Sequence, residues 1–300
     1  MNISKNSHGI LPDKRAEVFG HRVSALNRTD QILAEYSDEI KKDEADMFIP
    51  ELKTEIIDPE DNVRFIQRFL SREMQENTTR PFYEKTIFLY PELKKIADIP
   101  DEKEREMFIR EAVLKRLTDN RAEMMSRVRH FREVFDTFIY DFIEAQCRLF
   151  HYEWKESEPL ISCNVGYLPF YPRGTEEKYF YVSYQDEERV FSGAVHEINH
   201  MIFHEKWKEM YGSLMKEEAW PDPLWYLEEI IVDPTLNDER VKRYTLYENK
   251  AYPQFYLPGK DGGPGIMDRV KACYRKHGDA IEEFLSEAYE IVRKEILLSN

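Results

Sequence analysis

No glycine stands between Gly20 and Gly166, although the chain has 11 glycines in its 300 residues. Glycine marks many tight turns and weakens a helix interior by roughly 0.5–1 kcal/mol relative to alanine, so so long a stretch without one suits helices joined by other turn residues. The apolar spacing agrees with this. Phe108, Ile109, Ala112, Val113 and Leu117 make one stripe at helical period. Met124, Val128, Phe131, Phe135, Phe138, Ile139 and Phe142 make a second, with Thr118-Asp119-Asn120 as the break between them. These aromatics read as core, and Pro81, Pro91 and Pro100 predict shorter helices and loops ahead of them.

The texture changes after Trp154. Residues 160–165 and 179–184 are short apolar or aromatic runs bounded by Pro159, Gly166, Pro172 and Gly174, which is how strands read. The second run either offers an exposed edge to an extended peptide or is closed by another strand. Glycines return in the loop 258–265, which lacks the order needed to cradle a nucleotide phosphate, and helical spacing resumes from Ile266 to Leu298. The expected fold class is α+β and predominantly helical, with a helical N-terminal region at 1–150 followed by a second region at 151–300.

Composition narrows the function. With 42% hydrophobic residues the chain can bury a substantial core, whereas a net charge of −15 disfavours a phosphate backbone, so nucleic acid is not an expected partner. No run approaches the length of a membrane span, and residues 1–20 lack the apolar stretch of a secretory signal. Cys147, Cys163 and Cys273 are odd in number and widely spaced, which points to free thiols and a cytoplasmic protein.

Chemistry concentrates in His196-Glu197-Ile198-Asn199-His200. On a helix, His-Glu-x-x-His places two imidazoles one turn apart on one face, where they supply half of a zinc site, and sets the Glu where it can reach a water beside the ion without binding the ion itself. Val190, Phe191, Ala194, Val195, Ile198, Met201 and Ile202 form the apolar stripe of that helix, Gly193 leaves room one turn before His196, and Asp186 is placed to cap its start. A third protein ligand is needed. The spacing with Gly three and His six residues after the second His is excluded, because Phe203 and Lys206 stand there. His204 would extend the row, but three ligands along one straight helix cannot close a tetrahedron, so it reads as packing or as a partner outside the coordination sphere. Downstream, Asp222 and Pro223 can cap and begin a helix that carries Glu229 and Asp233 one turn apart, a pairing that suits a ligand and a carboxylate orienting a histidine ring. Glu228 is the rival ligand, three residues after Trp225, and Pro234 should kink or end this helix.

His196-Glu197-x-x-His200, an interval of 28 residues and then Glu229-x-x-x-Asp233 resemble the gluzincins, the thermolysin-like zinc metallopeptidases, over roughly residues 179–234. The resemblance implies a zincin-like catalytic domain in 151–300, with a small sheet beside the metal helix, one zinc per chain, and an edge strand that holds a peptide or protein substrate while Glu197 activates water. An oxyanion would need a donor besides zinc, and Tyr247, Tyr252, Tyr256 and His277 all follow the third ligand. The alternatives are a zinc-binding scaffold without turnover and a regulatory interaction protein.

Overall fold

Two parallel strands far apart in sequence begin the sheet. In a computed structural model, which describes residues 47–71, 81–212, 222–259 and 262–297, β1 (Glu51–Ile56) pairs in parallel with β2 (Leu160–Gly166), Glu51 opposite Leu160 and Ile56 opposite Val165. β2 pairs in parallel with β4 (Tyr179–Ser183), and the two-residue β3 (Arg173–Gly174) adds antiparallel to β4, giving the order β1-β2-β4-β3. β2 buries Ile161, Cys163 and Val165 on one face and leaves Ser162 and Asn164 half-buried on the other, whereas β4 buries both faces, Phe180 and Val182 on one and Tyr181 and Ser183 on the other.

The run at 179–184 is paired with β2 along one side, and on the other β3 covers Tyr179 and Phe180, with one further bond from the Tyr181 N–H to the Pro172 carbonyl. The pairing of β1 with β2 carries the sheet across the expected boundary at 150, and every described residue lies within one unit, Met47–Asn300. Residues 1–46 and 72–80 of the expected N-terminal helical region, the leader reading at 1–20, and residues 260–261 of the glycine-rich loop lie outside the described residues.

Helices cover the sheet: α1 (Pro59–Phe69), α2 (Pro81–Leu89), a 3-10 segment (Pro91–Asp98), α3 (Glu102–Asp119), α4 (Arg121–Phe135) and α5 (Ile139–Leu149). The break between α3 and α4 falls at Asn120, as the sequence indicates, while the second stripe is cut again at Asp136 to Phe138, where the chain turns into α5. Phe131, Phe135 and Phe138 all meet the Phe191 ring edge-on at centroid distances of 5.8, 5.1 and 6.1 Å, which binds α4 and this turn to the motif helix. Truncating such a ring in a packed core costs about 3–5 kcal/mol.

That motif helix, α6 (Glu187–Tyr211), starts at Asp186, whose side chain accepts the Arg189 N–H. It is buried on every side from Glu197 to Trp207 and is therefore the central helix of the domain. Gly193 permits a close approach: a Cβ there would lie 3.2 Å from the Tyr171 ring. α7 (Pro223–Leu236) begins at Asp222, which accepts the Leu224 N–H, and packs against α6. Pro234 does not end it. The proline has no N–H for the Ile230 carbonyl, yet the helix runs on to Leu236 with Pro234 buried inside it. α8 (Ile266–His277) and α9 (Ile281–Leu297) form a hairpin about Gly278, whose φ of 58° is open to glycine at no cost, and both pack on α7. Among the described residues no helix is long and apolar enough to cross a membrane.

Candidate metal centre

Helical spacing brings the two motif imidazoles together, with the Nε2 atoms of His196 and His200 2.8 Å apart. Across from them on α7, Glu229 directs Oε2 to within 3.4 Å of His196 Nε2 and Oε1 to within 3.7 Å of His200 Nε2. One ligand atom from each of the three lies within 4.8 Å of the others, a convergence that a single ion can span. His196 is partly exposed, so the centre opens outward there, while His200 and Glu229 are buried.

A polar tie fixes the two helices relative to each other. Buried Asn199, inside the motif, receives the Gln146 side-chain N–H at 2.6 Å, and Thr235 Oγ1 lies 3.1 Å from the same Asn199 oxygen. α5, α6 and α7 are thereby joined one residue from His200, which keeps the ligand geometry from sliding.

Glu228 is fully buried and engaged elsewhere. Arg173 pairs with its Oε1, and His204 Nε2 lies 2.6 Å from its Oε2. Burial would raise the Glu228 carboxyl, but the Arg173 charge and the His204 hydrogen bond outweigh it and hold the group below the ordinary carboxylate value. Glu229 therefore converges on the histidines, and Glu228 sits behind them, with Oε2 3.8 Å from His200 Nδ1.

Glu197 lies beside the trio. Its Oε2 is buried, accepts no hydrogen bond among the described residues, and stands 3.4 Å from Arg173 Nη1. Burial lifts the Glu197 carboxyl above its ordinary value, with Arg173 and His196 opposing the rise. The two imidazoles separate: desolvation, followed by neighbouring positive charge, keeps His200 neutral well below its usual range, whereas at His196 the Glu229 carboxylate overcomes burial and raises it. A neutral imidazole is the form that binds a cation.

Asp233 does not take the orienting role expected for it. Its carboxylate is held by the Tyr256 hydroxyl at 2.6 Å, Lys271 at 2.8 Å and Asn237 at 3.2 Å, and among the described residues no histidine is its partner. One helical turn carries Asp233 past the histidines and towards α8, where Lys271 supplies a stronger partner than a ring N–H.

The expected oxyanion residues also separate. Tyr256 is occupied by Asp233 and by the Ala251 N–H, and His277 lies on α8 with Glu287 at 2.9 Å. Tyr252 is near enough to the centre to feel its charge: desolvation, and then the Glu229 and Glu197 carboxylates, push its hydroxyl up to about 12, so it stays a hydrogen-bond donor at neutral pH. Its ring lies 5.8 Å from that of Trp225, one turn before Glu229. The sequence reading missed Arg173, a single cation on a two-residue strand with no spacing signal, and Gln146 and Thr235, which look like ordinary helix residues. Compared with protein-family models, with curated proteins and with solved structures, the chain matches none.

Proposed function

We propose that this chain is a zinc-dependent peptidase in which His196, His200 and Glu229 hold one ion and Glu197 is the general base. Bound there, zinc would polarise the scissile carbonyl and make water a stronger acid. Glu197 takes a proton from the attacking water at Oε2 and returns it to the leaving amine. Tyr252 donates its hydroxyl proton as a hydrogen bond to the developing oxyanion. Asn199, Gln146 and Thr235 keep α6 and α7 in register during these steps. The reading rests above all on one observation: an acidic side chain whose Oε2 accepts no hydrogen bond among the described residues stands beside a converged His-His-Glu trio. The substrate is a peptide or protein, and three buried, free thiols fit a cytoplasmic setting.

A second reading, a zinc-binding scaffold without turnover, is favoured by Arg173, which stands 3.4 Å from the proposed base. Cleavage of a mixed peptide library, followed by mass spectrometry, separates the two. Zinc-loaded wild type cleaves, chelator-treated protein does not, and Glu197→Gln keeps its zinc and its circular dichroism while losing about 10²–10⁴ in rate. An intact library with zinc-loaded wild type supports the scaffold.

A further inference from the structure

A second group of metal-ligating side chains converges away from the motif. Cys273 and His277 are one turn apart on α8, and Glu287 reaches them from α9 across the hairpin, with one ligand atom of each within 4.8 Å of the others. His277 Nε2 lies 2.9 Å from Glu287 Oε2. The Cys273 sulfur, buried at 4% exposure, has only the Phe284 carbonyl at 3.9 Å as a hydrogen-bond partner among the described residues. We propose that Cys273, His277 and Glu287 form a second cation site, one for a thiophilic divalent ion such as zinc.

The donor set decides the class of ion. Sulfur with imidazole and one carboxylate selects zinc or cadmium over calcium and magnesium, which require oxygen ligands. Three protein donors leave one position of a tetrahedron to solvent. Binding breaks the Cys273 S–H bond, releases that proton to solvent, and forms a metal–sulfur bond without any change of oxidation state. The other use of these residues is a simple ion pair: Lys276 Nζ lies 2.5 Å from the same Glu287 oxygen, with its side chain 62% exposed. An exposed lysine pair of that kind is weak, because solvent screens it, so a divalent ion displaces it easily. The ion pair also gives the sulfur no role, whereas a bound ion uses all three groups and staples α8 to α9. None of these residues belongs to the His196 centre, so the site stands whether or not the chain is a peptidase.

The test is cadmium and zinc titration of the chelator-stripped full chain. Cadmium added to wild type should produce the ultraviolet sulfur-to-cadmium charge-transfer band, and elemental analysis should find one zinc more per chain than in Cys273→Ala. The band should persist in His196→Ala/His200→Ala, in Cys147→Ala and in Cys163→Ala, and vanish in Cys273→Ala. His277→Gln, which leaves the buried sulfur in place, should lower affinity at this site at least about tenfold while the fold, followed by circular dichroism, is unchanged. A folded wild type without the band, or a band that survives Cys273→Ala, overturns the proposal. Loss of zinc from the His196 centre alone leaves the band intact and is a separate failure.

Discussion

His204 Nε2 and Glu228 Oε2 lie 2.6 Å apart in the core behind the candidate metal centre, and Arg173 closes the other side of the same carboxylate. This pairing explains why two adjacent glutamates on α7 have different uses: Glu228 is consumed by fixed cationic and N–H partners, leaving Glu229 to face the histidines. Glu229→Ala should therefore lose zinc from the His196 centre. Glu228→Ala should keep that ion but lower stability, because Arg173, 14% exposed, loses its nearest carboxylate and is left with the more distant Glu197 at 3.4 Å and Glu229 at 3.8 Å. Elemental analysis and urea unfolding on both variants check this, and equal zinc loss from the two would defeat the assignment.

Arg173 also bears on the proposed base, Glu197. Its charge opposes the upward shift that burial gives Glu197, so Arg173→Gln should raise the Glu197 pKa further. A general base works only when deprotonated, so activity is present above that pKa and is lost as the pH falls through it. The acid limb of the rate profile should accordingly move to higher pH in Arg173→Gln, with a smaller displacement in Arg173→Lys. Rate against pH for a peptide cleaved by the wild type is the measurement, and an unmoved limb would show that Arg173 serves only Glu228.

Towards the C-terminal end of α6, buried Glu205 joins Lys178 at 2.7 Å and Lys155 at 2.5 Å. Burial alone would raise its carboxyl, but the hydrogen bonds and charges of these lysines bring it down from 4.5 to about 2. A lowered carboxyl stabilises the fold above the unfolded value and loses that contribution as the pH drops from 4.5 to about 2. Glu205→Gln should cost about 3 kcal/mol at neutral pH and almost nothing near pH 2, since the shift corresponds to roughly that energy. Urea midpoints across that range test it; a cost independent of pH would mean that Glu205 acts through packing.

What the sequence disclosed follows from how local each signal is. His196 with His200, Asp186 as a cap, and Asp222-Pro223 as a helix start all depend on contacts within one or two turns, and the structure places each as read. Arg173 was illegible because its partner Glu228 is 55 residues away and nothing in a two-residue strand marks it. β1 was hidden for a similar reason. Its pairing with β2 spans more than a hundred residues, and the absence of glycine that predicts helix across the region is equally compatible with one short edge strand. Asp233 was misplaced because spacing fixes the face a side chain shares, not which of two competing partners it meets on that face.

The two tyrosines after the proposed third ligand provide the last contrast. The Tyr252 hydroxyl feels the charges of Glu229 and Glu197, whereas the Tyr256 hydroxyl donates to Asp233 at 2.6 Å and is spent there. Tyr252→Phe should lower kcat, by as much as about 10²–10³-fold if its hydroxyl is the oxyanion donor, with folding and zinc content unchanged. Tyr256→Phe should do the reverse: the loss of a hydrogen bond to a charged acceptor costs about 1.5–3 kcal/mol of stability, while kcat changes little. Steady-state kinetics and thermal unfolding on both variants decide between the two residues. A rate loss confined to Tyr256→Phe would transfer the donor role to it, and would require its hydroxyl to leave Asp233 when substrate binds.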